Sequence, residues 1–263
     1  EVTITVNPFP SQLATAGFSQ IHCNVTSALL NGNIPQGGEI GTWSLFSGPN
    51  GVSFTNVDEH SYNATVTGLV GGSPNVYVLQ WEVAVGTCTT SDTMSIVVWA
   101  PPTPANAGPD QELCNFTTFQ LSATPVTVGT GMWTKVSGPA GTITNPLAAV
   151  TTVTGTVPES YVFRWTTVNG MICPPSIDEV TIINRAVIAA GGPTSISVCI
   201  GATPILSSNA TGGSGSYTYQ WQESPGDCSA PTFVNIPGAT GPNYTTPILT
   251  TTTRPTPPPQ RGA

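Results

Sequence analysis

Six cysteines carry most of the chemistry this sequence could perform: Cys23, Cys88, Cys114, Cys173, Cys199 and Cys228. No two of them form a Cys-x-x-Cys, and His22 and His60 are the only imidazoles, so a structural zinc would find few ligands. The pattern points instead to disulfides in an oxidising, extracytoplasmic compartment. Glycosidic hydrolysis needs two carboxylates facing a cleft, and Asp58-Glu59 beside His60 is the one acidic cluster of note. Its place between Thr55-Asn56-Val57 and a strand starting at Tyr62 reads as a solvated loop. His22, next to Cys23, reads as a strand-end residue rather than a base. Gly-x-Ser-x-Gly, His-Glu-x-x-His and phosphate-loop patterns are absent, and Gly212-Gly213-Ser214-Gly215 precedes a strand, not a helix. The sequence therefore predicts no enzyme, no catalytic or metal-binding residue and no cofactor.

Composition limits what could position such groups. Only 7% of the 263 residues are charged, the net charge is −8, and Lys135 with four arginines supplies all the permanent positive charge. A phosphate-tracking surface, and with it a nucleic-acid partner, is excluded. The 28 glycines and 26 prolines, among many Thr, Ser and Val and few strong helix formers, favour short strands joined by turns. No apolar run is long enough to span a bilayer. Glu1 to Val6 has neither the basic flank nor the apolar core of a signal peptide, so an export signal would lie outside this sequence.

The cysteines fall into a repeat. Ala105-Asn106-Ala107-Gly108 leads to Cys114 as Ala14-Thr15-Ala16-Gly17 leads to Cys23, and Ala189-Ala190-Gly191-Gly192 leads to Cys199 with one extra residue. Trp43 follows Cys23 at nearly the spacing with which Trp133 follows Cys114 and Trp221 follows Cys199. Ser47-Gly48-Pro49 and Ser137-Gly138-Pro139 sit at the same offset after their tryptophans. Tyr77-Val78-Leu79-Gln80-Trp81 matches Tyr161-Val162-Phe163-Arg164-Trp165, and period-2 alternation puts the Tyr, the Leu or Phe and the Trp on one face. Trp43, Trp81, Trp133, Trp165 and Trp221 are thus expected in cores. Ile4, Ile96 and Ile182 mark a recurring last strand, which makes residues 1–6 the last strand of a preceding repeat. The expected units are 7–98, 99–184 and 185–249, followed by a Pro/Thr-rich tail or linker at 250–263. With one cysteine pair per repeat, the simplest of the 15 connectivities joins Cys23 to Cys88, Cys114 to Cys173 and Cys199 to Cys228. The fold class is all-β: tandem immunoglobulin-like sandwiches in an elongated array.

Ala105 to Gln111, Met132-Trp133 and Ser137-Gly138-Pro139 resemble the opening and middle strands of PKD domains, immunoglobulin-like sandwiches of large extracellular proteins. Residues 99–184 further resemble the tandem repeats of giant cell-surface adhesins of Bacteroidota, including gliding-motility adhesins exported by type 9 secretion. Residues 185–249 resemble bacterial Ig-like repeats of the same class of protein. Many PKD domains have an acidic turn where this chain has Pro125-Val126-Thr127-Val128-Gly129, which leaves structural calcium unsupported. Asp92-Thr93-Met94 resembles the short motif O-glycosylated in exported Bacteroidota proteins, which nominates Thr93.

The third unit stops short of two strands that its relatives would have, and prolines 255, 257, 258 and 259 cannot extend a ladder. Either the chain is a fragment or another chain completes the sheet edge, with residues 1–6 as a candidate donor. The leading expectation is a non-catalytic, extracellular or cell-surface adhesin or stalk for attachment or gliding. Its expected partners are neighbouring repeats or like subunits, surface glycans, or secretion and motility machinery. The alternatives are a filament subunit assembled by strand exchange and a carbohydrate-binding appendage of a secreted enzyme.

Overall fold

The computed structural model describes residues 2–3, 6, 8–54, 62–224 and 232–250. Asp58, Glu59, His60, Cys228 and residues 251–263 lie outside them, as does most of the strand expected over residues 1–6; the described Val2 and Val6 are exposed and not in a strand.

All regular structure among the described residues is β. The first seven strands are β1 (Gln20–Cys23), β2 (Ser27–Leu29), β3 (Ile40–Ser47), β4 (Ser53–Phe54), β5 (Thr65–Thr67), β6 (Asn75–Val85) and β7 (Cys88–Trp99). They make two sheets, ordered β1-β7-β6-β3 and β2-β5-β4, in which only the β1–β7 pair is parallel. The next seven repeat the plan: β8 (Gln111–Cys114), β9 (Thr118–Ser122), β10 (Thr130–Ser137), β11 (Thr142–Ile143), β12 (Val150–Thr154), β13 (Ser160–Val168) and β14 (Ser176–Arg185). Their sheets run β8-β14-β13-β10 and β9-β12-β11, with β8–β14 the parallel pair. Each set is an immunoglobulin-like sandwich.

Alternation builds the cores. Along β6, Tyr77, Leu79, Trp81 and Val83 are fully buried while Gln80 and Glu82 point outward, and along β13 Tyr161, Phe163, Trp165 and Thr167 do the same. Registers place Trp43 opposite Trp81 and Trp133 opposite Trp165, with ring centroids 5.0 Å and 5.1 Å apart. The indoles need room behind them. A Cβ on Gly41 would lie 2.2 Å from Trp81 Cη2, and one on Gly131 2.1 Å from Trp165 Cζ2. Both edge strands bulge just before the Ser-Gly-Pro turn, between Leu45 and Ser47 and between Lys135 and Ser137. The phenol of Tyr77 accepts from Val70 N at 2.8 Å and donates to Val70 O at 3.2 Å; Tyr161 does the same with Val157 at 2.8 Å and 3.0 Å. One difference is local: Trp81 Nε1 donates to Asn33 Oδ1, whereas buried Trp165 Nε1 has no partner among the described residues.

The third unit is built from shorter pieces: β15 (Ala189–Gly191), β16 (Ile205–Ser207), β17 (Asn209–Thr211), β18 (Gln222–Glu223), β19 (Val234–Asn235) and β20 (Asn243–Thr245). They pair only as β15–β17, β16–β20 and β18–β19. Trp221 is nonetheless fully buried. Its backbone N–H donates to Ala239 O, its indole N–H donates to Gly241 O at 2.9 Å, and its ring lies 5.8 Å from that of Tyr244.

Candidate functional site at the junction between repeats

The disulfide in the structure joins Cys23 to Cys173, 150 residues apart in sequence, and not Cys23 to Cys88 or Cys114 to Cys173 as the repeat spacing suggests. The register explains the correction. Cys23 lies opposite Trp99, the last residue of β7, whereas Cys88 is its first. A 12-residue strand separates them by roughly 35 Å, far beyond the approximately 7 Å between Cα atoms that a disulfide tolerates. The second repeat obeys the same geometry, since Cys114 lies opposite Arg185 at the end of β14 and Cys173 precedes the beginning of that strand. The two cysteines of a repeat therefore stand at opposite ends of a sandwich. A bond is within reach only between the far end of one repeat and the near end of the next. Cys88 is a half-buried thiol and Cys114 an exposed one in this structure. The expected Cys199–Cys228 pair lies outside the described residues because Cys228 does.

Around that bond the connector is fastened along its length. Asn169, 4% exposed, follows β13 and donates through Nδ2 to Ala100 O at 2.7 Å and to Gly72 O at 3.1 Å, so one amide ties the second repeat to the connector and to the first repeat at once. Gly170 adopts φ +67°, and a Cβ there would sit 2.5 Å from Trp99 Cδ2, so only glycine lets this turn lie against the indole. Gly72 bridges back to Trp99 and Ala100 through Gly72 N to Val98 O and Ala100 N to Gly72 O. Beyond buried Pro102, Thr103 N–H donates to Val128 O at 3.0 Å, and its hydroxyl oxygen accepts from Val128 N at 2.8 Å and Thr127 N at 2.9 Å. Thr103 O accepts from the fully buried Thr167 hydroxyl at 2.6 Å. Ala105 N and Ala107 N then donate to Ser176 Oγ and Asp178 Oδ2. Such an arrangement can transmit orientation and tension, because Ala100, Thr103, Ala105 and Ala107 are held through their backbone groups and one link is covalent.

The other residues singled out in the sequence sit elsewhere. Thr93, on the outward face of β7, is exposed. Its neighbour Asp92 has a structural role that the sequence did not signal: its carboxylate accepts Ala16 N–H at 2.9 Å, as Asp178 accepts Ala107 N–H in the second repeat. His22 lies in β1 with Nε2 2.8 Å from Gln20 Oε1. Trp43, Trp81, Trp133, Trp165 and Trp221 are at most 2% exposed. Sequence reasoning missed Thr103, Asn169 and Gly170; Asn169-Gly170 was legible only as a turn dipeptide.

Comparisons with known proteins find similarity to immunoglobulin-like folds. A domain of unknown function, DUF8696, matches residues 190–254. No curated protein matches the chain. Among solved structures, the PKD domain from the KIAA 1837 protein is 29% identical, covering 35% of this chain and 91% of its own, with a TM-score of 0.29. Titin domains I67-I69 are 12% identical and cover 94% of this chain and 99% of their own at a TM-score of 0.48. The N-terminal four Ig domains of Dscam1 isoform 8.4 are 11% identical, covering 91% of this chain and 66% of their own, at a TM-score of 0.34. The chain has an all-β fold of immunoglobulin-like sandwiches and is similar to PKD and Ig-like domains, and no helix among its described residues is long and apolar enough to cross a membrane.

Proposed function

We propose that this chain is part of an exported, non-catalytic adhesin or stalk, of the gliding or attachment type that type 9 secretion delivers to the surface of Bacteroidota. In this reading the units are 7–98, 99–184 and 185–249, and they hold a binding region away from the cell. The observation that carries the reading is the clamped, disulfide-closed junction. A stalk that transmits force or projects a tip needs a fixed angle between its modules, and this junction is built to hold one. A surface with few charges and many Thr and Ser side chains suits that exposure. Its partners are surface glycans or the secretion and motility machinery.

The test is made on whole cells. Antibody raised against the chain should label intact, unpermeabilised cells, and an in-frame deletion of these residues from the reading frame should reduce attachment or gliding. Labelling only after lysis, or a deletion strain that attaches and moves normally, would overturn the reading. Thr93 is the nominated O-glycan site on the exposed face of β7, and an intact mass equal to that of the bare sequence would exclude it.

A further inference from the structure

A covalent bond between two repeats changes which part of the chain carries tension. Cys23 ends β1 at the far end of the first repeat, and Cys173 stands just before β14 at the near end of the second. Both strands run from the near end of their repeat to the far end, as the registers Cys23↔Trp99 and Arg185↔Cys114 show. One covalent line therefore descends β1, crosses the two sulfurs, where the Cα atoms are 5.1 Å apart, and descends β14 to Arg185. Residues 24–172 hang from it as a closed loop that contains both tryptophan pairs. Little of the line is slack. A strand already rises about 3.3 Å per residue, close to the limit of a fully extended chain. The join from Cys173 to Ser176 is Pro174-Pro175, whose rings fix φ and keep the preceding residue out of the helical region. Before β1, Ala14 N–H donates to Thr90 Oγ1 at 3.0 Å and Ala16 N–H to Asp92 Oδ2 at 2.9 Å, while Ser19 Oγ accepts from Ser95 N at 3.1 Å. The approach to β1 is thus laid along β7 as well.

We propose that Cys23–Cys173 is a load bypass. Tension that enters on the N-terminal side of Cys23 and leaves on the C-terminal side of Cys173 runs through β1, the disulfide and β14, and residues 24–172 are not stretched. The bypass is a property of the covalent path, beyond the adhesin reading, and holds for the isolated chain. The two loaded strands differ in how firmly they are seated. β1 is an edge strand, paired with β7 over four residues, and none of its residues is buried. β14 lies between β13 and β8 and buries Val180 and Ile182. Tension therefore detaches β1 before β14, and after each event extension stops once the line is straight.

The test pulls single molecules of the full, oxidised chain by handles at its two ends and compares the parent with the double variant Cys23→Ser, Cys173→Ser. The bond closes a separation of 150 residues, which corresponds to roughly 500 Å of extended chain. The parent should reach full extension roughly 500 Å short of the variant. That difference does not depend on whether the variant folds, because full extension counts residues and not contacts. A second reading needs no variant: dithiothreitol added to the parent at constant force should lengthen the molecule by roughly the same 500 Å as the bond is reduced. Equal full extension of parent and variant, or no lengthening of that size with dithiothreitol, would overturn the proposal. Either result would leave the cell-surface reading to its own labelling and deletion assays.

Discussion

The two junctions of this chain use the same device to very different extents. Between the first and second repeats, Ala100 to Thr103 is held by Asn169, Val128, Thr127 and Thr167 and closed by Cys23–Cys173. Between the second and third, the connector after Arg185 is largely exposed. What the described residues show there is Gly213 N–H donating to Ala186 O at 2.7 Å and Gly212 lying so close that a Cβ would meet Val187 O at 2.1 Å. The first junction receives the connector on the loop after β9, the second strand of its repeat, and the second receives it on the loop after β17, the third strand of the third unit. Among the described residues, only the first shows the final-hairpin turn, with its amide and its cysteine, at the junction. At the first junction, order between modules comes in part from that hairpin.

The largest way to break the contrast is to remove the covalent link. Cys23→Ser with Cys173→Ser, or reduction of the parent, opens a loop of 150 residues, for which the chain-entropy model gives on the order of 5 kcal/mol. Calorimetry should show the shared unfolding transition of the first two repeats shift down and separate into two, with the third unit's transition unchanged. Next comes Trp165→Ala, expected to cost about 3–5 kcal/mol. It should lower the transition shared by the first two repeats, whereas Trp221→Ala should lower only that of the third unit. If Trp221→Ala shifts both equally, the second junction is as tightly coupled as the first.

Asn169→Ala sharpens the comparison at a smaller scale. It strips the donor from Ala100 O and Gly72 O and should cost about 1–3 kcal/mol, read as faster amide exchange at Gly72, Ala100 and Thr103 with the disulfide still closed. The smallest effect lies away from the junctions. Backbone N–H groups of Gln36 and Ser11 donate to the Glu39 carboxylate and hold its pKa below the usual carboxylate value. A depressed folded-state pKa means that the tether is complete above the ordinary carboxylate range and is lost as pH falls through the folded value. The Gln36 and Ser11 amide shifts should follow that titration, and Glu39→Gln should abolish it.

Much of the fold was legible because its signals are local and occur twice. Tyr77-x-Leu79-x-Trp81 and Tyr161-x-Phe163-x-Trp165 alternate over five residues, and the Ser-Gly-Pro turns mark the same bulge. The cysteine partners were not legible, for a reason equally physical. A repeat places two cysteines in every unit, and sequence spacing does not reveal that β1 runs parallel to β7 and so carries Cys23 to the end of the strand opposite Cys88. The clamp was hidden because Thr103 and Asn169 act through backbone partners, Val128, Ala100 and Gly72, whose identities leave no side-chain pattern.

Residual dipolar couplings of the intact, oxidised chain in a weakly aligning medium test the central claim most directly. The clamped junction predicts that amides of the first and second repeats fit one alignment tensor, that the third unit requires its own, and that reduction gives the first two repeats separate tensors. Separate tensors for the first two repeats while Cys23–Cys173 remains closed would contradict it.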